Sequence, residues 1–151
     1  MMRTGAIVRR AQQGDEPEWL RMRLALWPHC SKEAHESEIS ALLRDQAQAA
    51  AFVSERGENG LCGFIEVYIR PFAEGCRTRP VGHIEGWYVD RESRWKGIGK
   101  LLVVAAEQWA RAKGCKEMAS DAEVSNLDGE EAHRRLGYTE CSRLVHFRKD
   151  L

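Results

Sequence analysis

The sequence predicts an α/β protein, an α+β mixed sheet with helices on both faces, and three observations point there. Its 151 residues match the size of one domain. In the middle of the chain, strand patterns follow one another without helices; towards the end, strands alternate with helices. That succession suits a mixed sheet covered on both sides. No segment is low in complexity, so residues 1–151 are read as a single domain.

The elements follow in order. Ala6-Ile7-Val8 is a short strand. Gly14-Asp15-Glu16-Pro17-Glu18 opens a helix, with Asp15 as cap, Pro17 in the first turn and Glu18 three residues after the cap. Trp19, Met22 and Leu26 keep helical spacing until Trp27-Pro28 stops it. Ser31-Lys32-Glu33 begins a second helix reaching about Gln46. Ala51-Phe52-Val53 is a weak strand signal. From Leu61 to Ile69, alternating residues predict a half-buried strand. Arg70 to Pro80, with two prolines, a glycine and four charges, is a surface loop long enough to expect a function.

Gly82 to Val89 is a strand whose interior Gly86 points to a bulge or a close approach by a ligand. Ile98, Leu101, Leu102, Ala105 and Trp109 then keep helical spacing as far as Lys113-Gly114. Glu117 to Ser120 is a short strand, Asn126 to Leu136 a helix ended by Gly137, and Tyr138 to Arg148 a last strand. The predicted order is β-α-α-β-β-β-α-β-α-β.

Composition limits the function. Lys and Arg number 23 against 23 Asp and Glu, for a net charge of +0, with 43% hydrophobic residues and mean hydropathy -0.51. A neutral chain has no bulk footprint for nucleic acid or an anionic membrane. Five cysteines without a C-x-x-C or a zinc-finger His pair read as reduced thiols and call for no metal. The first residues, MMRTGAIVRRAQQGDEPEW, hold no apolar stretch of signal-peptide length, so a cytoplasmic location is expected.

The most informative segment is Arg94-Trp95-Lys96-Gly97-Ile98-Gly99-Lys100, between a strand and a long helix. Two glycines let the backbone turn so that successive N–H groups converge, and the helix N-terminus adds about half a positive charge. Arg94, Lys96 and Lys100 add full charges. Such a turn suits a phosphate or pyrophosphate, although neither G-x-x-x-x-G-K-[ST] nor G-x-G-x-x-G is present.

Arg94-x-x-Gly97-x-Gly99 resembles the [RQ]-x-x-G-x-[GA] mark of the GNAT superfamily of acetyl-CoA-dependent N-acetyltransferases. Asn126, with His133-Arg134-Arg135-Leu136-Gly137-Tyr138 after it, resembles the family's second signature. Leu26-Trp27-Pro28, Ile69-Arg70, Gly75-Cys76, Pro80-Val81, Ile84-Glu85-Gly86-Trp87-Tyr88-Val89, Gly114 to Asp121 and Phe147-Arg148-Lys149 resemble the aminoglycoside 6'-N-acetyltransferases over almost the whole chain. The resemblance implies the GNAT fold, a mostly antiparallel mixed sheet flanked by about four helices. It implies acetyl transfer from acetyl-CoA, as co-substrate and without metal, to the 6'-amine of an aminoglycoside antibiotic, usually in a homodimer.

Residue roles follow from the same resemblance. The backbone of Trp87, Tyr88 and Val89 is expected to pair with pantetheine, Arg94 and Trp95 to Lys100 to hold the pyrophosphate, and Asn126 to bind the pantetheine arm. For the chemistry, a substrate ammonium must lose a proton before it attacks the thioester. Glu85 is the candidate to hold the ammonium and accept that proton; a carboxylate within a strand otherwise faces solvent or pairs with Arg. Asp121, Trp27, His29 and Phe72 are expected at the substrate, with Glu74 adding charge; Asp121 reads alternatively as a cap, Trp27 as core. His133 stands where the superfamily often has a thiolate-protonating tyrosine, and reads either as catalytic or as structural. Ser142 stands where relatives often have an acidic residue. An acetyltransferase for a polyamine, metabolite amine or protein amine is the rival enzyme, and a non-catalytic acetyl-CoA-binding module the rival of another class.

Overall fold

The computed structural model describes residues 5–58 and 60–151. The opening residues read as lacking a leader include Met1 to Thr4, which lie outside that range. Along the chain run β1 (Ile7–Arg10), α1 (Glu16–Leu26), α2 (Lys32–Arg44), β2 (Ala49–Glu55), β3 (Leu61–Arg70), β4 (Val81–Val89), a 3-10 turn (Arg91–Ser93), α3 (Ile98–Ala112), β5 (Met118–Ser120) and α4 (Leu127–Arg135). The strands form one sheet in the order β1-β2-β3-β4-β5, antiparallel except for the parallel β4–β5 pair.

Two cores sandwich this sheet. On one face Phe64 of β3 and Val53 of β2 meet Trp19 and Met22 of α1 and Ile39 and Leu42 of α2. On the other, Ile65 and Val67 of β3 and Ile84 of β4 meet Leu102, Val103 and Ala106 of α3. Fully burying each large apolar side chain contributes roughly 1.5–3 kcal/mol. β3 is therefore buried on both faces over Leu61 to Val67, where alternation predicted a half-buried strand. Its one charged residue in that run, Glu66, is accommodated by ion pairing rather than by solvent.

Two local expectations change. Asp15 stands at the start of α1 without capping it: its carboxylate accepts from the Gln12 N–H at 2.8 Å and takes the Arg9 guanidinium at 2.8 and 2.9 Å. Ser31 does cap α2, accepting from the Ala34 N–H at 3.1 Å. The strand expected over Tyr138 to Arg148 does not form. Residues 139–151 are an exposed arm, with Leu144 60%, Val145 77% and Phe147 93% exposed. A strand pattern needs a neighbouring edge to satisfy its backbone, and among the described residues none pairs with this arm.

The site is placed by the divergence of β4 and β5. Their ladder runs only from Gly82–Met118 through His83–Ala119 to Ile84–Ser120. Beyond Ile84, β4 continues to Val89 with β3 on one side and an open edge on the other.

Candidate active site

Glu85 stands where that edge opens. In the β3–β4 register Glu66 faces Gly86 and Val67 faces Ile84, which leaves Glu85 as the extra residue of a bulge. Bulges re-aim side chains, and this one places Glu85 beside Arg70 and His83. The Arg70 guanidinium hydrogen-bonds the Glu85 carboxylate, so the Arg-paired alternative for this residue is realised. His83 Nδ1 lies 3.3 Å from Glu85 Oε1. The His83 ring, together with Arg70 and against the opposing effect of partial burial, holds the Glu85 carboxyl below its ordinary value. Glu85 is thus a fixed negative charge at neutral pH, well suited to an ammonium.

Trp27 closes this region from the side of the helices. It packs edge-on against Phe64, stacks on His35 and lies under the Arg23 guanidinium, so its core reading holds. Its outer ring also covers Gly86: a Cβ built there would sit 2.4 Å from Cη2. Gly86→Val accordingly should push Trp27 away from the strand next to Glu85. The expected result is a KM for the acceptor raised at least about tenfold, with Kd for acetyl-CoA little changed, measured by steady-state kinetics and calorimetry.

Behind Trp27 lies a buried ionic group that the sequence did not mark. Arg23 and Glu66 are 2% and 1% exposed. The Arg23 Nε donates to Glu66 Oε1 at 2.7 Å and its Nη2 to Oε2 at 3.0 Å, while Trp19 Nε1 donates to Oε1 at 2.9 Å. His35 Nδ1 is 2.9 Å from Arg23 Nη1 and its Nε2 is 3.2 Å from the Trp27 carbonyl oxygen. A guanidinium only donates, so Nδ1 accepts and Nε2–H donates to Trp27. The end of α1 is thereby tied to the sheet.

On the far side of the open edge, the turn before α3 has the shape a pyrophosphate requires. Gly97 is left-handed (φ 84) and so is Trp95 (φ 63), a conformation uncommon for a side-chain-bearing residue. The turn delivers the free N–H groups of the α3 N-terminus, with Lys96 and Lys100 exposed beside them. Arg135 of α4 stacks over the Trp95 ring at 5.1 Å, a brace invisible in the sequence. Arg94 bends back instead, its Nε donating to the Val89 carbonyl at 2.8 Å, and so fixes the end of β4.

Trp87 packs against Gly99 and edge-on to His133, and its buried Nε1 has no partner. An open strand edge, an orphaned donor and a helix N-terminus together fit a pantetheine–pyrophosphate chain. Asn126 caps α4, its Oδ1 accepting from the Gly129 N–H at 2.9 Å, which leaves its amino group to donate to a ligand. The cap of α4 is thus Asn126, and Asp121 is free of that role.

His133 bridges α4 and β5. Its Nδ1 lies 2.6 Å from the Gly129 carbonyl oxygen and its Nε2 2.7 Å from Ser120 Oγ. Asp121, just after β5, is 84% exposed and sits 3.9 Å from His83 Nε2. A cleft of ≈ 990 Å³ joins these groups: Glu74, His83, Asp121, His133 and Ser142 all line it, and seven Asp and Glu against five Arg and Lys make its wall acidic. His29 and Phe72, both exposed, lie outside that lining, as do Trp27 and Glu85. Arg70 and His83 are the site residues that sequence reasoning missed; the i, i+2 spacing of His83 and Glu85 on one strand was the available signal.

The geometry is that of an acyl-CoA-dependent transferase, and a family comparison agrees. Residues 15–138 match the acetyltransferase (GNAT) family, and the chain belongs to that family. It is 40% identical to the aminoglycoside N(6')-acetyltransferase type 1 of Klebsiella aerogenes, over 99% of this chain and 100% of that protein. Among solved structures it superposes with TM-score 0.91 and 30% identity on AAC(6')-Iy in complex with the bisubstrate analog CoA-S-monomethyl-acetylneamine, over 98% of this chain and 100% of the other. AAC(6')-Ih from Acinetobacter baumannii superposes with TM-score 0.89 and 30% identity, over 97% and 99%.

Proposed function

We propose that this chain is an aminoglycoside 6'-N-acetyltransferase that carries acetyl from acetyl-CoA to the 6'-amine of the antibiotic in a ternary complex, and so confers resistance. The observation that carries the reading is Glu85, turned by the bulge into the point where β4 and β5 part, beside His83 of the acidic cleft.

Each residue then has a task. The open edge of Trp87 to Val89 pairs with pantetheine, with Trp87 Nε1 as a further donor, and Trp95 to Lys100 hold the pyrophosphate. Asn126 reaches the pantetheine arm. Glu85 and Asp121 attract the polycationic sugar, Trp27 and His29 form one side of its site, and Phe72, Glu74 and Ser142 the other. An ammonium held by Glu85 faces the thioester at a fixed angle and distance, which removes the entropy cost of a chance encounter. His133, hydrogen-bonded to Ser120 and edge-on to Trp87, is the group assigned to the leaving thiolate.

Thiol release from acetyl-CoA, measured with purified protein across kanamycin, tobramycin, gentamicin components and spermidine, tests the proposal. Turnover with the 6'-amino aminoglycosides is expected; release with none of them would overturn it, and release with spermidine alone would favour the polyamine reading.

The enzyme works in the cytoplasm as a homodimer. Among the described residues no helix is long and apolar enough to cross a membrane, and all five cysteines are free. The arm over residues 139–151, with Leu144, Val145 and Phe147 exposed and no strand paired with it among the described residues, supports a second copy of the chain as its partner. Truncation after Tyr138 is expected to halve the mass seen by analytical ultracentrifugation; an unchanged dimer would place the interface elsewhere.

A further inference from the structure

We propose that His83 relays the acceptor's proton, passing it from the Glu85 side of the site to Asp121 at the surface. The inference rests on the acetyltransferase reading above. Three histidines of this chain are held between neighbours, and two of them have both ring nitrogens satisfied: His35 by Arg23 and the Trp27 carbonyl, His133 by Ser120 and the Gly129 carbonyl. His83 differs. It is 4% exposed, yet its Nδ1 is a buried polar atom with no hydrogen-bond partner. That nitrogen lies 3.3 Å from Glu85 Oε1 without the alignment of a hydrogen bond, and Nε2 on the opposite side of the ring lies 3.9 Å from Asp121 Oδ2.

A buried imidazole with one nitrogen towards the reaction site and the other towards an exposed carboxylate is a proton path. A phenylalanine or leucine would pack in the same strand position without leaving a polar atom unpaired. The groups facing the ring are Tyr68 and Arg70 from β3, Glu85 from its own strand and Asp121 after β5; the Arg23, Glu66 and Glu38 group lies beyond Tyr68. None of the others is placed to store the proton. Glu85, its carboxyl held below the ordinary value, passes a proton on rather than keeping it, and the Tyr68 hydroxyl, pushed up to about 12 chiefly by burial, keeps its own proton.

The acceptor ammonium carries three protons and the amide product keeps one. One N–H bond of the ammonium breaks first, and its proton passes by way of Glu85 or a water to His83 Nδ1. The Nε2 proton leaves to Asp121 and solvent, and the ring returns to its starting tautomer when protons exchange with water. The freed lone pair forms the N–C bond, the C–S bond breaks with its electrons on sulfur, and the second proton lost from nitrogen balances the thiolate.

The test compares His83→Phe and His83→Gln with the wild type. For the wild type, kcat with kanamycin should fall as the pH is lowered, through an acid limb that requires the side chain at position 83. Both variants are expected to lose that limb and to fall about 10²-fold in kcat, with KM for kanamycin and Kd for acetyl-CoA within about threefold. Circular dichroism confirms folding, and His83→Gln, which keeps a polar group in place, decides if the aromatic variant does not fold. Wild-type kcat in the folded variants, or a slowed variant that retains the limb, would overturn the relay. A wild type inactive on every 6'-amine would instead overturn the acetyltransferase reading.

Discussion

Arg23→Ala is expected to lose about 3–5 kcal/mol of stability, because removing one partner of a buried ion pair leaves the other charge uncompensated. Arg23 is the hub of the group behind Trp27: without it Glu66, 1% exposed, keeps only the Trp19 N–H, and His35 loses its donor. Against a typical total of roughly 5–15 kcal/mol this is a large fraction. The urea midpoint should drop accordingly, and the melting temperature should fall on the order of 10 °C. The double variant Arg23→Met, Glu66→Gln should recover most of the loss, since the amide oxygen can still accept from Trp19 and no charge remains buried. A single variant as stable as the wild type would show that water reaches the pair.

Glu85→Gln carries the second large effect. The substitution keeps the shape of the side chain but removes the charge, and so weakens a charge-assisted hydrogen bond to the ammonium, worth roughly 1.5–3 kcal/mol. It also removes the carboxylate through which the proton first leaves, a step worth about 10²-fold. Together these predict a loss of about 10³–10⁴-fold in kcat/KM for the aminoglycoside with an unchanged Kd for acetyl-CoA. Arg70, 42% exposed, can turn to solvent, so stability should hold. Full activity would place the acceptor site away from the bulge.

The depressed proton affinity of Glu85 sets the direction of its pH dependence. A carboxyl whose folded value lies below its ordinary one stays ionised as pH falls through the ordinary carboxylate range and loses its charge only below it. Ammonium binding by Glu85 should therefore persist to acid pH, while turnover, which needs a proton acceptor, fails earlier.

Local pattern and motif determined a good part of this protein without coordinates. The α3 spacing from Ile98, the turn at Gly97 and Gly99, the interior glycine of β4 and the order of the first nine elements all depend on residues within a few positions of one another, where backbone preference and periodicity act directly. The acidic residue in β4 and the family to which the chain belongs were legible on the same terms.

What tertiary structure decided depends on residues far apart in sequence. β3 is buried on both faces because α1, α2 and α3 happen to cover it, which alternation alone cannot report. The pairing of Glu85 with Arg70, the buried group of Arg23, Glu66 and His35, and the placing of His83 between two carboxylates all arise from strand register and helix docking. Residues 139–151 show the converse: the segment reads as a strand, but a strand exists only where another edge satisfies its hydrogen bonds, and among the described residues none is paired with it. Sequence fixes what each segment can become; the long-range pairing of charges and edges settles which of those possibilities is realised.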